Sequence, residues 1–167
     1  MSERGATWGK QGEQGEESGQ GEESGQGSGL VVATGVFDLL HIGHLRFLEA
    51  ARQLGDGLIV GVESDARVRR WKGPRRPIQS EEDRSALVGA LKGVDRVFTI
   101  TGERTDPAFY VELLRPLHAR YLAVTADDPL LAVKREAMAA IGVELRIVVP
   151  RIENYSTTRL VELLEPS

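Results

Sequence analysis

Two hydrophobic patterns alternate along the chain from residue 30 onward. Short apolar runs predict strands that are buried on both faces, at 30–34, 58–62, 96–100, 121–125 and 144–149. Stretches whose apolar positions recur every three or four residues predict helices, at 43–54, 80–92, 107–117, 129–141 and 157–165. Strands that alternate with helices are typical of a parallel sheet covered by helices. We therefore predict a three-layer α/β fold with a five-stranded, mostly parallel sheet.

Local signals support several of these helix boundaries. Ser80 precedes three acidic residues, which are favourable in the first turn of a helix. Two Asp-Pro pairs, beginning at Asp106 and Asp128, each combine a helix N-cap with proline at the first helical position. Gly142 predicts a helix end. Residues 69–77 contain a glycine and two prolines, so we predict a loop there.

Residues 1–29 differ in composition from the rest of the chain. Gly, Glu, Gln and Ser dominate, and the hexamer GEESGQ occurs at 15–20 and again at 21–26. Such a segment has too few apolar side chains to bury a core, so we predict a disordered tail. The remaining residues, 30–167, have the length of one domain.

Charge and composition exclude several classes of function. The formal net charge is −4, and the tail, with six Glu against Arg4 and Lys10, accounts for all of it. The domain therefore has no basic excess, and we expect no binding to nucleic acid. The chain has no cysteine, which excludes disulfides and thiolate chemistry. No apolar run approaches the roughly 18 residues that cross a bilayer, and no secretory signal is evident at the start. We expect a cytoplasmic protein without membrane contact.

The segment from Gly35 to His44 follows the first predicted strand and leads into the first predicted helix. His41 and His44 are three residues apart, so they lie on one side of the first helical turn. Gly43 between them removes a side chain where a ligand would approach the backbone. Because the free N–H groups of a helix N-terminus already attract anions, two adjacent imidazoles predict a phosphate site.

This segment resembles the G-x-F-D-x-x-H-x-G-H signature of the cytidylyltransferase-like nucleotidyltransferases, and every fixed position is matched. Members of that family have a Rossmann-like fold, and they join a nucleoside triphosphate to a phosphorylated small molecule with release of pyrophosphate. The resemblance implies that His41 and His44 are catalytic donors to the α- and β-phosphates, and that a bound phosphate raises their pKa. It also implies nucleotide contacts for Gly35, Phe37, Asp38 and Gly43, with Asp38 near the acceptor as well.

Three further segments are similar to phosphate-binding segments of the family. Residues 72–77 resemble the K-G-P-x-R-P stretch of the heptose-1-phosphate adenylyltransferases, which implies a catalytic cation at Lys72. Relatives carry an arginine facing the acceptor's phosphate at the position of Arg84. Residues 151–158 are similar to R-T-E-G-I-S-T-T. That segment implies a catalytic role for Arg151, whose planar fork suits phosphate, and nucleotide contacts for Ser156, Thr157 and Thr158.

The chain departs from the family after its fourth predicted strand. Relatives often have Gly-x-Asp there, whereas this chain has Thr125-Ala126-Asp127. We expect Asp127 to supply the acid that contacts the nucleotide, while the missing glycine changes how closely the backbone can approach. Asn154 and Tyr155 also replace the glycine and the aliphatic residue of the family pattern.

The leading hypothesis is an adenylyltransferase that acts on a sugar phosphate of the heptose-1-phosphate type. A glycerol-3-phosphate cytidylyltransferase and an archaeal-type FAD synthetase have nearly the same motifs and stay open. The expected partners are a nucleoside triphosphate and a phosphorylated small-molecule acceptor, and a homodimer is expected from resemblance alone. The expected cofactor is Mg²⁺ held mainly by the triphosphate, because the sequence shows no dedicated metal site.

Two hypotheses come from other classes of protein. A catalytically silent nucleotide-binding regulatory module is favoured only by the altered segment around Asp127. The nucleotide-binding part of an aminoacyl-tRNA synthetase has a similar H-x-G-H turn, but the chain is short for that machinery and lacks the basic surface that tRNA requires.

Overall fold

A computed structural model describes residues 29–149 together with Thr157 and Val161. The strands are β1 (Leu30–Gly35), β2 (Gly57–Glu63), β3 (Arg96–Ile100), β4 (Tyr121–Thr125) and β5 (Glu144–Val149). The helices are α1 (Ile42–Arg52), α2 (Asp65–Lys72), α3 (Glu81–Gly89), α4 (Pro107–Leu114) and α5 (Leu131–Ile141), and a 3₁₀ turn, Arg115–Leu117, follows α4. The predicted α/β fold is confirmed, and each predicted strand agrees with an observed strand to within one residue at either end.

The five strands form one parallel sheet in the order β3-β2-β1-β4-β5. Strand β1 therefore lies between β2 and β4, and the chain builds outward from β1 first in one direction and then in the other. In open parallel sheets of this kind, ligands bind outside the carboxyl ends of the strands, at the point where the strand order reverses. The fold thus places a binding crevice beside the carboxyl end of β1.

Alternate residues of the central strands bury two separate cores on the two faces of the sheet. Val31 and Ala33 pack with the helices α1 and α3, whereas Val32 packs on the opposite face with α4 and α5. Successive side chains of a strand point to opposite faces, and both faces of a parallel sheet are covered by helices, so the central strands have no polar face. That double burial explains the continuous apolar runs in the sequence.

Three predicted helix signals are confirmed by hydrogen bonds or backbone conformation. The Ser80 hydroxyl accepts the backbone N–H of Asp83 at 3.1 Å. The Asp106 carboxylate accepts the N–H of Phe109 at 2.9 Å, with proline at the first helical position. Gly142 ends α5 in the left-handed conformation with φ 70°.

The prediction of a loop over 69–77 is wrong for residues 69–72, because they belong to α2. This helix has a Ser64 N-cap, an acid in its first turn and basic residues in its last turn, which is the charge arrangement that a helix dipole favours. Only Arg67 and Val68 are buried in it. The helix therefore has almost no apolar periodicity, and a hydrophobic pattern does not reveal it.

The second Asp-Pro pair does not begin a helix. Helix α5 starts at Leu131, and its N-cap position, Leu130, makes no side-chain capping bond. The Asp128 carboxylate instead closes the preceding turn by accepting the N–H of Leu130 at 2.8 Å, and it also accepts the ammonium of Lys134.

Of the predicted helix at 157–165, the described residues Thr157 and Val161 are helical, and the others lie outside the described residues. The predicted tail, 1–29, lies outside them except for Gly29. None of the helices in the described part of the chain has the length and apolar character needed to cross a membrane.

Candidate functional site

A cavity of about 360 Å³ lies at the carboxyl ends of β1, β2 and β4. Its wall includes residues 34–38, which form the end of β1 and the start of the following loop, and Glu63 at the end of β2. Lys72 at the end of α2 and residues 127–130 after β4 complete this part of the wall. His44 of α1 and Thr157 of the last helix also line it. The cavity therefore occupies the crevice that the strand order predicts.

The two histidines of the signature stack on each other at the start of α1. His41 is the N-cap residue, and its Nδ1 accepts the N–H of Gly43 at 3.1 Å. A neutral imidazole that accepts at Nδ1 carries its proton on Nε2, so His41 retains one ring donor. The rings of His41 and His44 have centroids 3.9 Å apart, and His44 is the one that lines the cavity. Its Nδ1 is buried and has no hydrogen-bond partner among residues 29–149, 157 and 161.

Both imidazoles are neutral near pH 7 in the protein alone. Burial, followed by the neighbouring His41 and Lys72, lowers the pKa of His44 to about 3. Burial also lowers the pKa of His41. That a bound phosphate raises these pKa values stays a prediction. Without a ligand, each histidine offers one N–H donor rather than a positive charge.

The loop between β1 and α1 is tightly constrained. Phe37 and Leu39 have φ values of 53° and 48°, a conformation that non-glycine residues rarely adopt. The buried Phe37 ring packs against Gly35 so closely that a Cβ on the glycine would lie 3.0 Å from it. The same ring contacts His44 edge-on at 5.4 Å between centroids. The glycine and the phenylalanine of the signature thus support the position of His44.

Asp38 lines the cavity, and its carboxylate also binds other parts of the protein. Its buried carboxylate accepts two bonds from Arg76, at 2.7 and 3.1 Å, and further bonds from the N–H groups of Ile78 and Gln79. These bonds hold the segment that follows Lys72 against the signature loop. Its carboxylate therefore positions the loop, and its predicted contact with nucleotide or acceptor stays a prediction.

Arg84 does not face the cavity, contrary to the prediction that it meets the acceptor's phosphate. The side chain is fully buried, and its guanidinium donates to the carbonyl oxygens of Gln79 and Val36 and to Asp65. All three guanidinium nitrogens therefore bind within the protein. Because Arg84 lies on the face of α3 that packs onto the sheet, it joins the signature loop to the start of α2.

Lys72 presents a free ammonium at the wall of the cavity. Its side chain is exposed and makes no hydrogen bond or ion pair with any described residue. Partial desolvation and the nearby Arg76 lower the pKa of Lys72, while Asp38 raises it. The ammonium can approach a ligand in the cavity, and it lies close enough to His44 to lower that residue's pKa.

Thr157, the one described residue of the C-terminal motif, lines the same cavity. The residue is buried, and its hydroxyl donates to the backbone carbonyl oxygen of Asp38 at 2.6 Å. Asp127 is exposed and lines the cavity beyond β4. The predicted site residues Arg151, Ser156 and Thr158 lie outside the described residues.

Sequence reasoning missed Lys134, which is buried in α5 and lines the cavity with its partner Asp128. A signal for it exists. Lys134 is at helical spacing from the buried Ala137 and Met138, so it is a charged residue on the apolar face of a predicted helix. Such a position requires a buried partner.

The family model and the most similar curated proteins indicate the same family for this chain. Residues 32–163 match the family model described as cytidylyltransferase-like. Over 134 residues the chain is 39% identical to the bifunctional protein HldE of Trichlorobacter lovleyi, and over 135 residues it is 41% identical to that of Koribacter versatilis. Each match covers 80% of this chain and 26% of the relative, so the chain spans about a quarter of the length of these curated relatives.

Solved structures agree with the sequence comparison. A lipopolysaccharide core biosynthesis protein from Thermoplasma volcanium superposes with a TM-score of 0.57 at 32% identity, covering 76% of this chain and 98% of that one. Pantothenate synthetase from Thermus thermophilus superposes with a TM-score of 0.53 at 21% identity, covering 75% of this chain and 56% of that one, a likeness of fold alone.

Proposed function

The chain belongs to the cytidylyltransferase-like family of nucleotidyltransferases, and we propose that it transfers an adenylyl group from ATP to a sugar phosphate of the heptose-1-phosphate type. The segment Lys72–Pro77, which resembles the K-G-P-x-R-P stretch of the heptose-1-phosphate adenylyltransferases, supports this choice. The name of the 32% identical lipopolysaccharide core biosynthesis protein supports it too.

The observation that carries the proposal is the convergence of three groups on one cavity. The neutral imidazole of His44, the ammonium of Lys72 and the hydroxyl of Thr157 come from distant parts of the chain. Hydrogen-bond donors and a cation beside a helix N-terminus are the groups that bind and polarise a polyphosphate. The crevice at the carboxyl end of β1 is where such a ligand fits this topology.

The proposed reaction is a direct in-line displacement. An oxygen of the acceptor's phosphate attacks the α-phosphorus of ATP, a new phosphorus–oxygen bond forms, and the bond to the β-phosphate breaks with release of pyrophosphate. Negative charge grows on the α-phosphate oxygens and on the leaving group. The N–H donors of His41 and His44 and the charge of Lys72 stabilise that charge in position, without a covalent intermediate on the protein.

We propose that magnesium enters as part of the nucleotide substrate. Within the described ranges, no group of three or more His, Asp or Glu side chains could hold a metal ion. The triphosphate oxygens would therefore supply most of its ligands, as is usual for Mg²⁺. When bound, the ion would supply positive charge that neutralises the triphosphate and the leaving pyrophosphate.

A substrate matrix tests the proposal. Pyrophosphate release is measured with ATP or CTP against heptose 1-phosphate, glycerol 3-phosphate and flavin mononucleotide, in the presence of Mg²⁺. The expected result is release with ATP and heptose 1-phosphate. Preference for CTP with glycerol 3-phosphate, or for ATP with flavin mononucleotide, would replace the adenylyltransferase by one of those two enzymes. Absence of release in every pairing by the folded protein would reject turnover altogether.

A silent regulatory module would bind nucleotide without releasing pyrophosphate, whereas the enzyme would do both. The altered segment Thr125–Asp127 favours this module because the missing glycine keeps the backbone farther from a ligand. Calorimetry with ATP alongside the turnover assay separates the two. Tight nucleotide binding without pyrophosphate release supports the module, whereas binding with release supports the enzyme.

A further inference from the structure

A buried ion pair forms part of the cavity lining, which we call the floor of the cavity. Lys134 has an exposed fraction of 4%, and its ammonium donates to the Thr34 hydroxyl at 2.9 Å and to the Asp128 carboxylate at 2.7 Å. All three side chains line the cavity. An ammonium has three N–H donors, and the third donor of Lys134 has no partner among the described residues.

The stability of the core does not require this buried ion pair. Removing two charges from water costs several kcal/mol each, and apolar residues of similar volume often stabilise a protein as well or better. The pair lies above the face of the sheet covered by α4 and α5, with the Lys134 ammonium 5.5 Å from the Tyr110 ring. The Tyr110 hydroxyl below is itself buried without a partner in the described chain. A ligand that bonds to the pair would compensate its desolvation.

The chemistry of the floor favours hydroxyl groups over phosphates. Asp128 balances the charge of Lys134, and the carboxylate of Glu63, held by Arg67, also lines the cavity. Carboxylates repel phosphate oxygens, so Lys72 suits a phosphate better than Lys134 does. Donors on Lys134 and Thr34 next to an acceptor on Asp128 match a hydroxyl group, which both accepts and donates.

We propose that Thr34, Asp128 and Lys134 form a subsite for the ring hydroxyls of a sugar. This inference rests on the proposed function, in which the substrates include two sugars, the acceptor's own ring and the ribose of ATP. In this arrangement the histidines and Lys72 hold the phosphate groups, and the subsite holds a neutral polyol part of a substrate in the same cavity.

Two variants and one control test the subsite. T34V removes one hydroxyl and leaves the ion pair in place. The double variant D128N/K134M removes both charges together, so no unpaired buried charge remains. The control is R135Q, which changes an exposed neighbour on α5. Calorimetry measures affinity for heptose 1-phosphate, ATP, 2′-deoxy-ATP and 3′-deoxy-ATP, and thermal unfolding confirms that each variant is folded.

We expect T34V to weaken binding of one sugar by about 2- to 10-fold, and the double variant by about 10- to 100-fold, since bonds to charged groups are stronger. A loss for heptose 1-phosphate assigns the hydroxyls to the acceptor. A loss for ATP that disappears with a deoxy analogue assigns them to ribose. Unchanged affinities for all four probes in folded variants, or no binding of any probe to the parent protein, would overturn the subsite.

The experiments distinguish a failure of the proposed function from a failure of the subsite. If the parent protein binds these probes but releases no pyrophosphate, the adenylyltransferase proposal is rejected. The affinities of T34V and D128N/K134M still decide the subsite in that case, because they do not depend on turnover.

Discussion

The hydroxyl of Thr157 donates a hydrogen bond to the backbone carbonyl oxygen of Asp38, which is 119 residues earlier in the chain. This bond attaches Thr157 to the signature loop. Since the side chain of Asp38 simultaneously binds Arg76, one residue connects the loop after β1, the segment after α2 and Thr157. The geometry of the cavity therefore depends on a contact between the two ends of the domain.

Thr157→Val tests this attachment. We expect the unfolding free energy to fall by about 1–3 kcal/mol, because a buried carbonyl oxygen loses its donor. We also expect a higher KM for ATP, since Thr157, which lines the cavity, is less well held. Denaturant unfolding and steady-state kinetics measure the two effects. The control is Thr99→Val, an exposed position on β3 where valine suits the strand. Equal behaviour of the two variants would contradict the attachment.

His44→Gln should lower kcat by about 10²–10³, as does the loss of other donors that stabilise a transition state. The fold should persist, because the buried Nδ1 of His44 has no bond to any described residue to lose. The matched control is His118→Asn, an exposed residue with φ 50°, since asparagine tolerates the left-handed conformation. Pyrophosphate release is the measurement, and a kcat unchanged by the His44 substitution would exclude a direct role.

Stability should also depend on pH through His44. Its pKa falls from 6.5 to about 3 on folding, so between these values the unfolded chain binds a proton that the folded protein excludes. The contribution of His44 to the unfolding free energy therefore declines as the pH falls below 6.5. Its slope is at most about 1.4 kcal/mol per pH unit.

Denaturant unfolding of the parent and of His44→Gln at several pH values between 4 and 7 checks the sign. Carboxylates contribute equally to both proteins, so the difference between them isolates His44. We expect the stability of the parent relative to the variant to decline toward pH 4. A difference that stays constant over this range would show that the imidazole is not desolvated.

Lys72→Met should lower kcat by about 10- to 100-fold while leaving stability nearly unchanged. The ammonium makes no bond with a described residue, so the folded protein alone loses little, whereas a bound phosphate loses a charged donor. The pKa of His44 should rise, because Lys72 helps to depress it. Kinetics and NMR titration measure these effects, and Lys92→Met on the exposed surface is the control. A full-activity Lys72 variant would remove the lysine from the mechanism.

Arg84→Met distinguishes a buried structural role from a contact with the acceptor's phosphate. We expect a loss of about 3–5 kcal/mol in unfolding free energy, because the carbonyl oxygens and Asp65 lose a buried charged partner. The KM for the acceptor should change little in the protein that remains folded. The control Glu82→Gln lies on the exposed side of the same helix. A higher acceptor KM at unchanged stability would restore the phosphate contact.

Periodicity determined the architecture because it reports local burial. Strands covered on both faces must be apolar throughout, as β1, β2 and β4 are. The runs at 96–100 and 144–149 also coincide with strands, β3 and β5, but these edge strands are only partly buried, contrary to the prediction of burial on both faces. The signature also located the histidine turn, since a strand, a glycine and a helix start are local features. Helix α2 was not predicted, because its charged sequence buries only two residues and shows no apolar periodicity.

The roles of individual polar residues depended on partners far along the chain. Arg84 and Asp38 both looked like phosphate or substrate contacts in the sequence, yet Arg84 meets Val36 across 48 residues and Asp38 meets Arg76 across 38. Lys134 likewise meets Thr34 across 100 residues. A charged side chain has the same identity whether it faces a ligand or a buried partner. Only the folded chain, which sets burial and the direction of each bond, separates Lys72 at the open cavity from Arg84 inside the protein.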